Sequence, residues 1–163
     1  MASHEKNGGF TLFELMITIA VAAIIISFGV PGFQSFIQNN RAATHTNDLV
    51  TALNLGRSEA TRRGAAVMVC SSTDASTCNG DNDWSTGWVV RTTTDLLRVW
   101  PERSGGAGVL KANVDEVRFM ARGSVAGTAP DFEIRLPDCT GDQGRDVSVN
   151  AAGRVSADRV ACP

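Results

Sequence analysis

"GGFTLFELMITIAVAAIIISFGVP", residues 8–31, decides how the N-terminal part of this chain folds. From Phe10 to Val30 the only charged side chain is Glu14. A helix of that length, rising 1.5 Å per residue, reaches roughly 30 Å, the thickness of a hydrocarbon core, so the run predicts a transmembrane helix over 10–30. A carboxylate in such a helix costs on the order of 2.5 to 3.5 kcal/mol at mid-bilayer and less near the interface, which marks Glu14 as a residue with a partner or a task. The alternative is that Glu14, one turn into the helix, snorkels to the headgroups and complements the helix dipole. The preceding "MASHEKNGG" is short, polar and carries Lys6, as suits a cytoplasmic end. It has neither a separate apolar region nor an Ala-x-Ala cleavage site, so the apolar segment is expected to be retained.

Gly9-Phe10-Thr11-Leu12-Phe13-Glu14-Leu15 resembles the prepilin signature of type IV pilins and type II secretion pseudopilins. In that family a membrane peptidase cuts after the glycine on the cytoplasmic side and methylates the new amino terminus. The resemblance implies a leader over 1–9, processing at Gly9/Phe10, and pairing of Glu14 with the Phe10 amine of a neighbouring subunit as helices bundle into a filament. A carboxylate that is costly in lipid gains most by meeting a cation there, and the pair would help to set axial register.

Beyond the apolar run about 130 residues remain, enough for one domain of ordinary size. The net charge of −2 and pI near 5.6 argue against a generally polyanion-binding protein, although 13 of the 15 basic residues are arginine and local patches remain open. Cys70, Cys78, Cys139 and Cys162 all lie downstream of the membrane segment and form no CxxC pair. An even count beyond a membrane anchor suggests an oxidising compartment and disulfides. Spacing alone allows three pairings; Cys70 with Cys78 and Cys139 with Cys162 are favoured because each joins sequence neighbours and the second staples the C-terminal tail. A zinc site is disfavoured because His45 is the only histidine downstream.

Gly29, Pro31 and Gly32 predict a kink or a meltable stretch. Helical spacing then resumes through Phe33, Phe36, Ile37, Leu49, Val50, Leu53 and Ala60, and Arg62 and Arg63 before Gly64 match C-terminal helix chemistry. One long kinked helix is expected from Phe10 to about Arg63, with 31–64 amphipathic. From residue 65 to 163 the texture becomes β-type: "AAVMVCS", "GWVVRTT", "DLLRVWPE", "DEVRFMARG", "DFEIRLPDC", "RDVSVNAAG" and "RVSADRVAC" predict about seven antiparallel strands. Packing the helix on this β-rich domain gives an α+β fold, the pilin lollipop, with "NAAGR" as a hairpin turn in which Gly153 takes positive φ.

Catalytic chemistry finds little support. No serine sits in a nucleophile elbow, the cysteines are assigned to disulfides, and "SGGAG" at 104–108 lacks the Lys-Ser/Thr that follows a phosphate-cradling loop. Asn79, Asp81, Asn82 and Asp83 suggest calcium only loosely, since no twelve-residue loop with a terminal Glu follows; a solvated turn is the preferred reading. No metal or cofactor is predicted. Trp84 and Trp88, four apart, would share one side of a strand, and packing is preferred over an adhesive surface.

The second half, with "VMVCSS", "CNGDNDWSTGWVV", "LLRVW", "VRFMARGS" and "VSVNAAGRV", is similar to the GspH/FimT family of minor pilins and pseudopilins. That resemblance implies a structural subunit of a type IV pilus or type II secretion pseudopilus, anchored in the bacterial inner membrane with a periplasmic C-terminal domain. Its implied partners are other pilins, met through the N-terminal helix, and prepilin peptidase. DNA-binding members of the FimT type carry Gly-Arg-x-Arg in the C-terminal hairpin. Here Gly153 and Arg154 match but Ser156 stands in the second Arg position. Arg145, Arg154 and Arg159 are therefore candidate DNA contacts in an alternative role in DNA uptake, although Asp142, Asp146 and Asp158 interleave with them.

Overall fold

The computed structural model describes residues 10–102 and 108–163, with residues 28–32 described by their backbone alone. The expected leader 1–9, including Gly9, and all but the last residue of "SGGAG" lie outside the described residues. The chain divides into two compact units, Met1–Ile37 and Gln38–Pro163.

One helix, α1 (Leu12–Arg63), crosses from the first unit into the second and continues through Pro31. It starts two residues later than expected because Thr11 caps it: the Thr11 hydroxyl accepts the Glu14 backbone N–H at 3.2 Å, and Leu15 N donates to the Thr11 carbonyl at 3.1 Å. Thr11-x-x-Glu14 has capping-box spacing, a second reason for an acid at this place in the sequence. Among the described residues no helix is long and apolar enough to cross a membrane. The expected segment 10–30 runs into residues 28–30, whose side chains lie outside the described ones.

At its other end α1 stops at Gly64, whose φ of 61° closes the helix in the left-handed region. In the last turn Glu59 holds Arg62 at 2.6 Å and Arg63 at 2.7 Å. The hydrogen bond from Arg62, then that from Arg63, keeps the Glu59 carboxyl down at about 2, against 4.5 for a free glutamate. A depressed folded-state pKa contributes stability that is complete above the unfolded value and lost as the pH falls through the folded one. The melting temperature should therefore decline between about pH 4.5 and about pH 2, and less steeply in Glu59→Gln. Identical pH slopes for the two proteins would exclude this contribution.

The second unit carries nine strands among the described residues: β1 (Val67–Ser71), β2 (Gly87–Arg91), β3 (Leu96–Pro101), β4 (Val109–Ala112), β5 (Glu116–Phe119), β6 (Val125–Ala126), β7 (Asp131–Arg135), β8 (Gly144–Val149) and β9 (Val155–Val160). They form two antiparallel sheets, ordered β3-β2-β1-β5-β6 and β4-β7-β8-β9. Seven strands match the expected runs. β4 and β6 are additional, being four and two residues long.

The core lies where α1 meets both sheets. Leu49, Ala52, Leu53 and Ala60 of the helix join Val67, Val69, Val90, Val117 and Phe119 of the first sheet and Leu110, Phe132, Ile134, Val147 and Val149 of the second. Each large apolar side chain buried this way contributes roughly 1.5 to 3 kcal/mol relative to exposure. Gly56 sets the helix–sheet spacing, since a Cβ there would stand 2.6 Å from Val69 Cγ2. Trp84 joins the sheets. It precedes β2 rather than lying in it: Trp84 N donates to the Leu110 carbonyl at 2.8 Å, and a turn at Ser85 and Thr86 separates it from Trp88.

Candidate assembly helix, disulfides and arginine surface

Phe10 and Glu14 lie at the start of α1, Phe10 just outside the cap and Glu14 in the first turn, and both are exposed. The helix that follows presents Leu12, Phe13, Leu15, Met16, Ile17 and Ile19 without cover in the isolated chain, Phe13 at 72% exposure. This concentration of bare apolar surface far exceeds the scattered exposure usual on soluble proteins. In the same unit Phe33 and Phe36, which the sequence places on an amphipathic face, are also exposed.

The four cysteines form two disulfides, Cys70–Cys78 and Cys139–Cys162. The first closes a loop beyond β1 that Asp74 organises: Asp74 accepts the backbone N–H groups of Ser76 and Thr77 at 2.9 and 2.8 Å and the Thr77 hydroxyl at 2.6 Å. These bonds, the Thr77 hydroxyl first, hold its carboxyl far below the usual carboxylate range. The second ties the segment after β7 to the segment after β9, where Cys162 N also donates to the Gly141 carbonyl at 2.8 Å. With sequence separations of 8 and 23, chain-entropy arguments give about 2.5 and about 3.4 kcal/mol respectively. Urea unfolding of Cys→Ser pairs should show losses of that order, the Cys139/Cys162 pair losing more; the reverse order would contradict the loop-length account.

Asn79, Asp81 and Asp83 are engaged in holding their own turn. The Ser71 hydroxyl bridges to Asn79 Oδ1 and to the Asp81 carbonyl, Asp81 Oδ1 accepts the Asp83 N–H at 3.1 Å, and Asp83 Oδ1 accepts the Ser85 N–H at 2.9 Å. Both tryptophans are interior. Trp84 meets Phe132 edge to face at 4.9 Å and donates its indole N–H to the Val114 carbonyl at 3.1 Å; Trp88 is 4% exposed.

The three C-terminal arginines do not form one surface. Arg145 is 7% exposed, on the core-facing side of β8 with Val147 and Val149. Its guanidinium donates to the carbonyls of Asp142 and Gly144, at 3.1 and 2.8 Å, and to Asn39 Oδ1 on α1. Burial, with the Arg159 charge second, lowers its pKa. As a candidate phosphate contact Arg145 is thus corrected: it is buried and makes these three bonds inside the fold, because period-two alternation places it on the inner face. Arg159 is opposite it on β9, and Arg154 is in the β8–β9 turn, both exposed. The sequence showed no sign of Asn39 as a partner for Arg145, since 106 residues separate them.

Comparison with known proteins places these features. The model of the family described as "Type II transport protein GspH" matches residues 45–153, and that of the prokaryotic N-terminal methylation motif matches residues 5–30. Among curated proteins none matches. The crystal structure of the type IV minor pilin FimU of Pseudomonas aeruginosa PAO1 superposes with a TM-score of 0.63 at 23% identity, covering 76% of this chain and 92% of that one. A second crystal form of FimU gives 0.56 at 23% identity, over 71% and 91%. That likeness is one of fold: the helix and the two antiparallel sheets. With two thirds of its length, residues 45–153, matched by one family model and residues 5–30 by the other, the chain belongs to the GspH family and carries the prokaryotic N-terminal methylation motif.

Proposed function

We propose that the chain is a minor pilin or pseudopilin, a structural subunit that acts by packing in the assembly or initiation of a type IV pilus or a type II secretion pseudopilus. The carrying observation is the methylation motif over residues 5–30, with α1 beginning at Leu12 and presenting bare apolar side chains from Leu12 to Ile26. Such a surface is tolerable only in lipid or against other helices, and a pilin helix occupies each in turn. Under this reading residues 10–30 cross the inner membrane once and residues 65–163 lie in the periplasm, where the disulfides form. Prepilin peptidase cuts after Gly9, and Glu14 pairs with the Phe10 amine of a neighbouring subunit. Other pilins or pseudopilins are then its principal partners.

Mass spectrometry of the protein isolated from cells containing the peptidase should find a mature chain beginning at Phe10 and methylated there. Intact residues 1–9 in those cells would overturn the reading.

A further inference from the structure

Two turns of the second unit are built alike and touch. In one, Met120 N donates to the Ser124 carbonyl and Gly123 N to the Met120 carbonyl, at 2.8 and 2.7 Å; in the other, Asn150 N donates to the Arg154 carbonyl and Gly153 N to the Asn150 carbonyl, at 3.0 and 2.8 Å. Val125 N ties them by donating to the Ala151 carbonyl at 3.0 Å. Gly123 and Gly153 have φ of 79° and 77°, and a Cβ on Gly153 would stand 2.0 Å from the Gly123 carbonyl oxygen. Only glycine permits this crossing.

Arg57 of α1 lies against the crossing: its Nε would be 3.2 Å from a Cβ on Gly123 and 3.1 Å from one on Gly153. Arg122 and Arg154 are the chain neighbours of those two glycines, and both are exposed. The Arg57 guanidinium and the backbones that carry Arg122 and Arg154 thus meet at one place. Neither 120–127 nor 150–157 contains an acid, nor do Leu53, Asn54, Ala60 and Thr61, the helix neighbours of Arg57. Nearby acids are taken, Glu59 by Arg62 and Arg63 and Glu116 by Arg118. Gathering cations that no ion pair among the described residues neutralises is unfavourable by itself, and in a chain of net charge −2 it points to an external anion.

We infer that Arg57, Arg122 and Arg154 form a docking site for clustered carboxylates on an acidic protein surface. Guanidinium groups pair with carboxylates bidentately, and the glycine crossing fixes the backbone that carries them, so little order is lost on binding. Nucleic acid is disfavoured by extent. Beyond Arg154 the hairpin carries Asp158, opposite Asp146 and followed by Arg159, so acids alternate with bases there and offer no continuous track for successive phosphates.

Full-length protein in non-ionic micelles at low salt, titrated with hexaglutamate, hexaglutamine and hexathymidylate, tests this. Hexaglutamate should bind saturably, hexaglutamine should not bind, and hexathymidylate should bind more weakly than hexaglutamate. Arg122→Gln and Arg154→Gln should each weaken hexaglutamate binding about fivefold, the equivalent of about 1 kcal/mol for one exposed pair. Their exposure means that melting temperatures should be unchanged, so a binding loss is not a folding loss. Absence of saturable hexaglutamate binding, equal affinity in the double variant, or tighter arginine-dependent binding of hexathymidylate would each overturn the inference. The titration involves no assembly, so its failure leaves the pilin reading standing.

Discussion

Glu14→Val is expected to give a protein that inserts and is processed normally yet enters assemblies at least about a hundredfold less well. The substitution makes the helix more apolar and leaves Gly9 unchanged, so neither insertion nor cleavage should suffer. Under the proposed pairing, assembly should, because the Phe10 amine of the neighbouring subunit would lose its carboxylate within an apolar helix bundle. A buried charge deprived of its partner typically costs about 3 to 5 kcal/mol, and each 1.4 kcal/mol is about tenfold in an equilibrium. Co-purification with partner pilins and pilus number measure the effect, with total protein as the control. Thr11 still accepts the N–H of residue 14 in the variant, since that bond uses the backbone, so the helix start survives and the assembly defect is isolated. If Glu14 served only the helix dipole or the headgroups, Glu14→Val and Glu14→Gln would both assemble like wild type. Full complementation of a deletion strain by Glu14→Val would therefore remove the pairing role.

Trp84→Ala should be the most damaging single change in the second unit, at about 4 to 5 kcal/mol. Its ring is fully buried, and truncating a buried Trp costs about 3 to 5 kcal/mol through lost transfer energy and the cavity left behind. The variant also forfeits the edge-to-face contact with Phe132 and the bond from its indole N–H to the Val114 carbonyl. Trp84→Phe should recover most of the packing but not the hydrogen bond, and so lose about 1 to 2 kcal/mol. Chemical denaturation of the two variants checks the ordering. A loss under 1 kcal/mol for Trp84→Ala would mean that the segment between β1 and β2 does not hold the sheets together.

Much of this molecule is written locally. The apolar run after Gly9, its acid and the arginines before Gly64 each depend on neighbours within a few residues, as do the alternating patterns of β5 and β7, and local chemistry is what a sequence displays. The Asn150–Arg154 turn is legible for the same reason: a glycine with positive φ is required within five residues.

What the tertiary structure decided is pairing across distance. Arg145 looks like a surface cation in sequence, and only the register of β8, with Asn39 more than a hundred residues away, makes it an interior one. Trp84 and Trp88 look like one strand face until the turn between them sends the first across to β4. Arg57, Arg122 and Arg154 share no motif and no spacing. They meet because two glycine turns approach more closely than any side chain would allow, a constraint that exists only once the chain has folded and its far segments exclude one another's volume.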